Sequence, residues 1–138
     1  ADLINVPAGG TMMPYNKMSN PADIYFTMRG RDVYNFAVEK IPKLINDVLA
    51  DTGYTTPEIK HFVCHQANIN IIKEIAKRIN VDIDKFIITL DHYGNTAGAS
   101  TLISLDVLFT SDRLAEGDII LMVAFGGGLS WAANLILL

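Results

Sequence analysis

A single cysteine, Cys64, leaves no possibility of an intramolecular disulfide, so nothing in the chain calls for an oxidising compartment. Neither sign of charge dominates. The 15 acidic and 11 basic residues, net −4, are dispersed, which leaves no basic footprint for nucleic acid and no acidic tail. No stretch of about 18 apolar residues suggests a membrane span, and no basic segment followed by an apolar run opens the sequence. These absences favour a soluble, cytoplasmic protein with no nucleic-acid or membrane partner. What is present is 138 residues, half of them hydrophobic, enough for one domain with a real core. The mean hydropathy of +0.26 is natural for a piece that packs a large face against another half. The chain opens at Ala1 almost directly into a strand-like segment, 3–6, as a cut between domains would leave it.

Apolar periodicity then predicts an alternation of strands and helices. A Gly/Pro/Asn-rich stretch, 7–21, reads as a long loop, and 24–28 as a short strand. Helical spacing of Val33, Phe36, Ala37, Ile41, Leu44, Ile45 and Val48 predicts a helix over 32–50, with Asp32 as N-cap and a bend at Pro42. Residues 59–64 form the next strand, 67–79 an amphipathic helix, 86–90 a strand and 91–96 a polar loop. A helix over 97–110 precedes two strands, 119–124 and 129–138, joined at a glycine-rich turn. Such alternation implies an α/β fold, a layered mixed sheet with helices packed on it, whose ligands bind at the carboxyl ends of strands.

Three features fall at such ends: His65-Gln66-Ala67-Asn68, Tyr93-Gly94-Asn95-Thr96 and Phe125-Gly126-Gly127-Gly128. A neutral histidine offers one N–H donor and an asparagine amide two that do not titrate near neutrality. Both can hold an oxygen on which negative charge develops. Glycines at 126–128 let the backbone approach a substrate closely. Each feature also has a structural alternative: a hydrogen-bonded histidine, a Gly-Asn turn and a tight hairpin.

The segments VCHQANINIIKEIAKR, LDHYGNTAGAS and LMVAFGGGLSWAA, with thirty residues between His65 and Asn95, resemble the closing blocks of β-ketoacyl-[acyl carrier protein] synthase III, in that family's order. The 25–34 stretch with Met28-Arg29-Gly30 is similar too. The resemblance covers essentially the whole chain and implies the C-terminal half of a thiolase-like fold, with a nucleophilic cysteine in a missing N-terminal half. It further implies transfer of an acyl group from acyl-CoA to that cysteine, then decarboxylative condensation with malonyl-acyl carrier protein. On this template His65 and Asn95 are the catalytic pair that binds the malonyl thioester oxygen, and Gly127 supplies an oxyanion-hole N–H. Gly30, Ala67, Asn68, Phe125 and Gly126 contact substrate, while Lys73, Lys77 and Arg78 form a basic docking patch for acyl carrier protein. The resemblance implies a homodimer for the full-length protein and no cofactor beyond the CoA and carrier thioester substrates.

The asparagine separates this pattern from elongating ketoacyl synthases, which resemble it with a second histidine, and from hydroxymethylglutaryl-CoA synthases, which use a glutamate. Plant-type polyketide synthases share Cys-His-Asn, and a CoA-dependent condensing enzyme of that kind is one alternative. A non-catalytic subunit of a heteromeric synthase is another. Asn70 and Asn35 stand where the family often carries basic residues, which leaves a CoA-linked donor open. Cys64 is not the expected nucleophile, since successive strand side chains point to opposite faces and it adjoins His65. A metal site among His61, Cys64, His65, Asp91 and His92 lacks zinc-type spacing. The isolated chain is expected to be inactive.

Overall fold

The computed structural model describes residues 3–138, so Ala1 lies outside it. Strands β1 (Ile4–Asn5) and β2 (Thr27–Met28) pair antiparallel, a ribbon shorter than the 3–6 and 24–28 segments predicted. Pro21–Ile24 closes into a 3-10 turn capped by the Asn20 side chain, which takes Ile24 out of extended conformation. The ribbon leads into α1 (Gly30–Thr52), which begins before the predicted Asp32. The Arg29 carbonyl accepts the N–H groups of Asp32 and Val33, so Arg29 is the cap residue and Asp32 lies in the first turn, where its charge suits the helix dipole. Pro42 does not interrupt α1 and is buried.

Strand β3 (Ile59–Cys64) has the predicted bounds. Next comes α2 (Ile69–Arg78), two residues shorter at its start than predicted because Asn68 is its N-cap and accepts the Asn70 N–H. The expected strand at 86–90 is reduced to one parallel bridge, Phe62 to Phe86, with the Ile87 N–H donated to the Phe62 carbonyl. Beyond that point the Gln66 side chain takes over as pairing partner. Its Nε2 donates to the carbonyls of Cys64 and Ile87 at 2.8 and 3.0 Å, and its Oε1 accepts the Thr89 N–H at 3.0 Å. The polar loop expected at 91–96 begins as a helical turn, α3 (Leu90–Tyr93). The helix expected at 97–110 begins instead as a 3-10 turn, Ala97–Ala99, whose first residue has a positive φ of 50°, and α4 follows as Ser100–Phe109.

Strands β4 (Ile119–Gly126) and β5 (Ser130–Leu137) form an antiparallel hairpin through a turn in which Gly128 has φ 72°. Strand β4 also pairs parallel with β3, giving a mixed sheet in the order β3-β4-β5. Alternation sorts its side chains into two cores. Phe62, Cys64, Leu121 and Val123 face α1 and α2 with Ile41, Ile45, Ile72 and Ile75. Val63 and Ile120 face the other side with Leu108 of α4. Burying each of these aliphatic side chains stabilises the fold by roughly 1.5–3 kcal/mol, so the apolar stripe of α2 is enough to fix its docking. The result is helix, sheet, helix, with the carboxyl ends of β3, β4 and the Phe86 segment on one side.

Candidate active site

At that side a cleft of about 400 Å³ opens between the strand ends, the β1–β2 ribbon and the start of α4. His65, Ala67, Asn95, Phe125, Gly126 and Gly127 all line it, so six of the sequence-predicted residues converge. Phe26, Met28 and Val33 give it an apolar wall.

His65 is fixed on three sides. Its backbone N–H donates to the Val123 carbonyl at 3.0 Å, which extends the β3–β4 ladder by one residue. Its ring stands edge-to-face on Phe125, with centroids 5.2 Å apart. Nδ1 lies 2.5 Å from the Ser100 hydroxyl, leaving Nε2 as the ring nitrogen with no partner among the described residues. Burial holds the imidazole below its ordinary value near 6.5, so the ring is neutral at pH 7. Asn95 is oriented by an Asx turn: its Oδ1 accepts the Ala97 N–H at 2.9 Å. That bond commits the oxygen and leaves the Nδ2 hydrogens as donors. The preceding Gly94, at φ 67° and ψ −162°, makes a turn that only glycine adopts without strain.

At Gly126 and Gly127 an added Cβ would meet no heavy atom within 4 Å. Both line the cleft with no side chain of their own, which leaves their backbone open to close approach. Two predicted substrate contacts do not line the cleft: Gly30 starts α1, and Asn68 caps α2. Of the predicted docking patch, Lys73, Lys77 and Arg78 are all exposed on α2, and Arg78 is held by Glu74 at 2.9 Å.

Cys64 is 1% exposed on the face opposite His65, and burial pushes its thiol up to about 12. A thiol kept protonated in a core cannot attack a thioester. His61 contacts the Arg113 carbonyl, and among the described residues no three His, Cys, Asp or Glu side chains are grouped to hold a metal. Among those residues, too, no helix is long and apolar enough to cross a membrane.

Sequence reasoning missed the polar residues behind the cleft. Ser100 and Gln66, both buried, stand next to His65, and Thr101 lines the wall. Ser100 and Ser104, four apart in a helix otherwise rich in leucine, were the available signal, since buried hydroxyls need partners.

Known proteins share this sequence and fold. Residues 49–138 match the family described as 3-oxoacyl-[acyl-carrier-protein (ACP)] synthase III C terminal. A β-ketoacyl-[acyl-carrier-protein] synthase III of Clostridium novyi is 47% identical over 110 residues, covering 80% of this chain and 34% of that protein. One from Clostridioides difficile is 36% identical over 136 residues, covering 98% and 42%. The crystal structure of the Thermus thermophilus synthase III superposes with a TM-score of 0.79 at 35% identity, over 82% of this chain and 35% of that one. The chain thus spans about 40% of the length of such relatives, and its layered sheet is part of a thiolase-like fold. Motif order, strand-end convergence and these matches together place the chain in the β-ketoacyl-[acyl-carrier-protein] synthase III family, over the part that forms its C-terminal region.

Proposed function

We propose that the full-length protein carrying this chain is an acyltransferase that condenses an acyl-CoA primer with malonyl-acyl carrier protein, the opening step of fatty acid synthesis. The chain supplies the decarboxylation half of the site. The observation that carries this reading is the pairing of two neutral donors in one cleft, His65 Nε2 and Asn95 Nδ2, each left available because its other polar atom is bound elsewhere.

A cysteine outside this chain takes the acyl group from acyl-CoA, and CoA leaves as the thiol. Malonyl thioester then binds with its carbonyl oxygen between His65 and Asn95. Loss of carbon dioxide leaves the bonding electron pair on the α-carbon, delocalised onto that oxygen as an enolate. Preorganised N–H donors stabilise this charge in an apolar cleft, and neutral donors do so without creating a buried cation. The α-carbon attacks the acyl-cysteine carbonyl, and the Gly127 N–H receives the oxyanion until the thiolate departs. Phe125, Gly126 and Ala67 shape the approach to it. The isolated chain, without the cysteine, does not turn over. A homodimer, as the resemblance implies, and the cytoplasmic setting that the single cysteine favours are part of the same proposal.

The acidic, phosphopantetheine-bearing carrier protein docks on the α2 face around Lys73 and Lys77. The Arg78–Glu74 pair and Asn70 support a second reading, in which the malonyl donor is CoA-linked. Rates with malonyl-CoA and malonyl-carrier protein decide between them.

In the full-length protein, His65→Ala and Asn95→Ala should each slow malonyl decarboxylation by about 10²–10³-fold, the range seen for loss of one oxyanion donor. Acylation of the cysteine outside this chain should survive both changes better, because different groups support it. Decarboxylation at the wild-type rate in both variants would remove the roles assigned here and leave a non-catalytic domain as the better reading.

A further inference from the structure

His65 can donate through Nε2 only if the proton of its neutral ring is kept off Nδ1. We propose that Ser100 does this as a positioning residue, donating its hydroxyl proton to Nδ1 and locking His65 as the Nε2–H tautomer; the inference rests on the role proposed for His65.

A count of protons in the buried network behind the cleft supports the assignment. Ser100 Oγ is met by the Gln66 backbone N–H at 3.3 Å and by His65 Nδ1 at 2.5 Å. The Gln66 N–H can only donate, so it occupies one lone pair of the hydroxyl oxygen. The Ser104 hydroxyl donates to the Ser100 carbonyl at 2.9 Å, which makes Thr89 the donor in the 2.8 Å contact between Thr89 Oγ1 and Ser104 Oγ. Every hydroxyl proton in the network is then committed except that of Ser100, and its one acceptor among the described residues is Nδ1. In the other tautomer Nδ1–H would donate to Ser100, and a hydroxyl proton on a residue 2% exposed would have no acceptor. Buried unsatisfied donors are strongly disfavoured.

Ser100 is itself held in place. Ser104 is fully buried and Thr89 is 3% exposed, while the Gln66 amide ties the Thr89 segment back to the end of β3. The network thereby joins the strand end that carries His65, the segment that leads to Asn95, and the helix that follows it. Because Ser100 lies five residues after Asn95, one anchor sets both the tautomer of the first donor and its position relative to the second.

Nitrogen NMR of ¹⁵N-histidine-labelled full-length protein, without substrate, reads the tautomer directly. Wild-type His65 should show a protonated Nε2 and a bare Nδ1. Ser100→Ala should shift the tautomer ratio towards Nδ1–H by on the order of tenfold, as expected for loss of a buried hydrogen bond. Malonyl decarboxylation should fall in kcat with little change in KM, and Ser100→Thr, which keeps a hydroxyl, should restore both readouts. If Ser100→Ala does not fold, Ser100→Cys, a weaker donor, should still raise the Nδ1–H fraction. A wild-type ring protonated at Nδ1, or a tautomer unchanged in every Ser100 variant that folds, overturns the proposal. The spectrum is taken without substrate, so full decarboxylation by His65→Ala would sink the enolate role while leaving the tautomer result standing.

Discussion

Replacing Gln66 by leucine tests whether a side chain really stands in for a missing strand. The residue is fully buried, and its amide makes three bonds to backbone: two donated to the carbonyls of Cys64 and Ile87, one accepted from the Thr89 N–H. Leucine fills nearly the same volume, so the cavity contribution is small and the polar loss dominates. The Thr89 N–H loses its partner in a site closed to water, a loss of roughly 1–3 kcal/mol, and each carbonyl forfeits about 1 kcal/mol. The sum, about 3–5 kcal/mol, is a large fraction of the roughly 5–15 kcal/mol that holds a typical protein folded. Urea unfolding followed by circular dichroism should show the midpoint falling by that much free energy with an unchanged slope. A midpoint within about 1 kcal/mol of wild type would show that the segment after Phe86 is held by packing alone, and the argument from hydrogen-bond substitution would be wrong.

Other consequences follow from the same structure. His61 and His65 are both held below their ordinary value near 6.5, chiefly by burial and at His61 also by Arg113, so as pH falls the unfolded chain binds protons first. Stability should therefore be full above about pH 6.5, decline through the window beneath it and level off once the folded-state values are passed, as a melting series from pH 8 to 5 would record. A curve that rises with acidity there contradicts the burial argument. With its thiol at about 12, Cys64 should resist iodoacetamide in the native protein and label fully once unfolded, by mass spectrometry. Rapid native labelling, or an acyl adduct from acyl-CoA, would reinstate it as a reactive thiol. Gly94→Ala forces a side chain into a glycine-only region beside Asn95 and should destabilise by about 1–3 kcal/mol in a thermal melt, with decarboxylation falling further than stability explains.

Much of this fold was legible in apolar spacing. Helices α1 and α2 carry side chains whose period matches the face they bury, and the two core clusters divide Phe62, Val63 and Cys64 of β3 as alternation requires, while Ile59 falls out of phase across a register shift before His61. The segment after Phe86 was misread because its residues look like a strand, while the group that pairs with them is the Gln66 side chain, 21 and 23 residues before its partners Ile87 and Thr89. Asp32 was misplaced as a cap for a related reason, and Asn68, read as a substrate contact, caps α2 and does not line the cleft. Residues of this kind serve as caps, first-turn acids or ligands, and only the backbone angles decide which. His65, Asn95 and the 125–127 turn were visible as polar or glycine breaks at strand ends, and the cleft gathers them. Ser100 was hidden inside a motif quoted for its neighbours, since its importance lies in a bond across the fold.

A double-substitution cycle on malonyl decarboxylation, comparing His65→Ala, Asn95→Ala and the combined variant in the full-length protein, tests most directly whether the two residues act on one oxygen. Groups that stabilise the same developing charge are non-additive, so the combined variant should lose little more than the worse single one. Fully additive losses, or wild-type rates throughout, would contradict a shared enolate site.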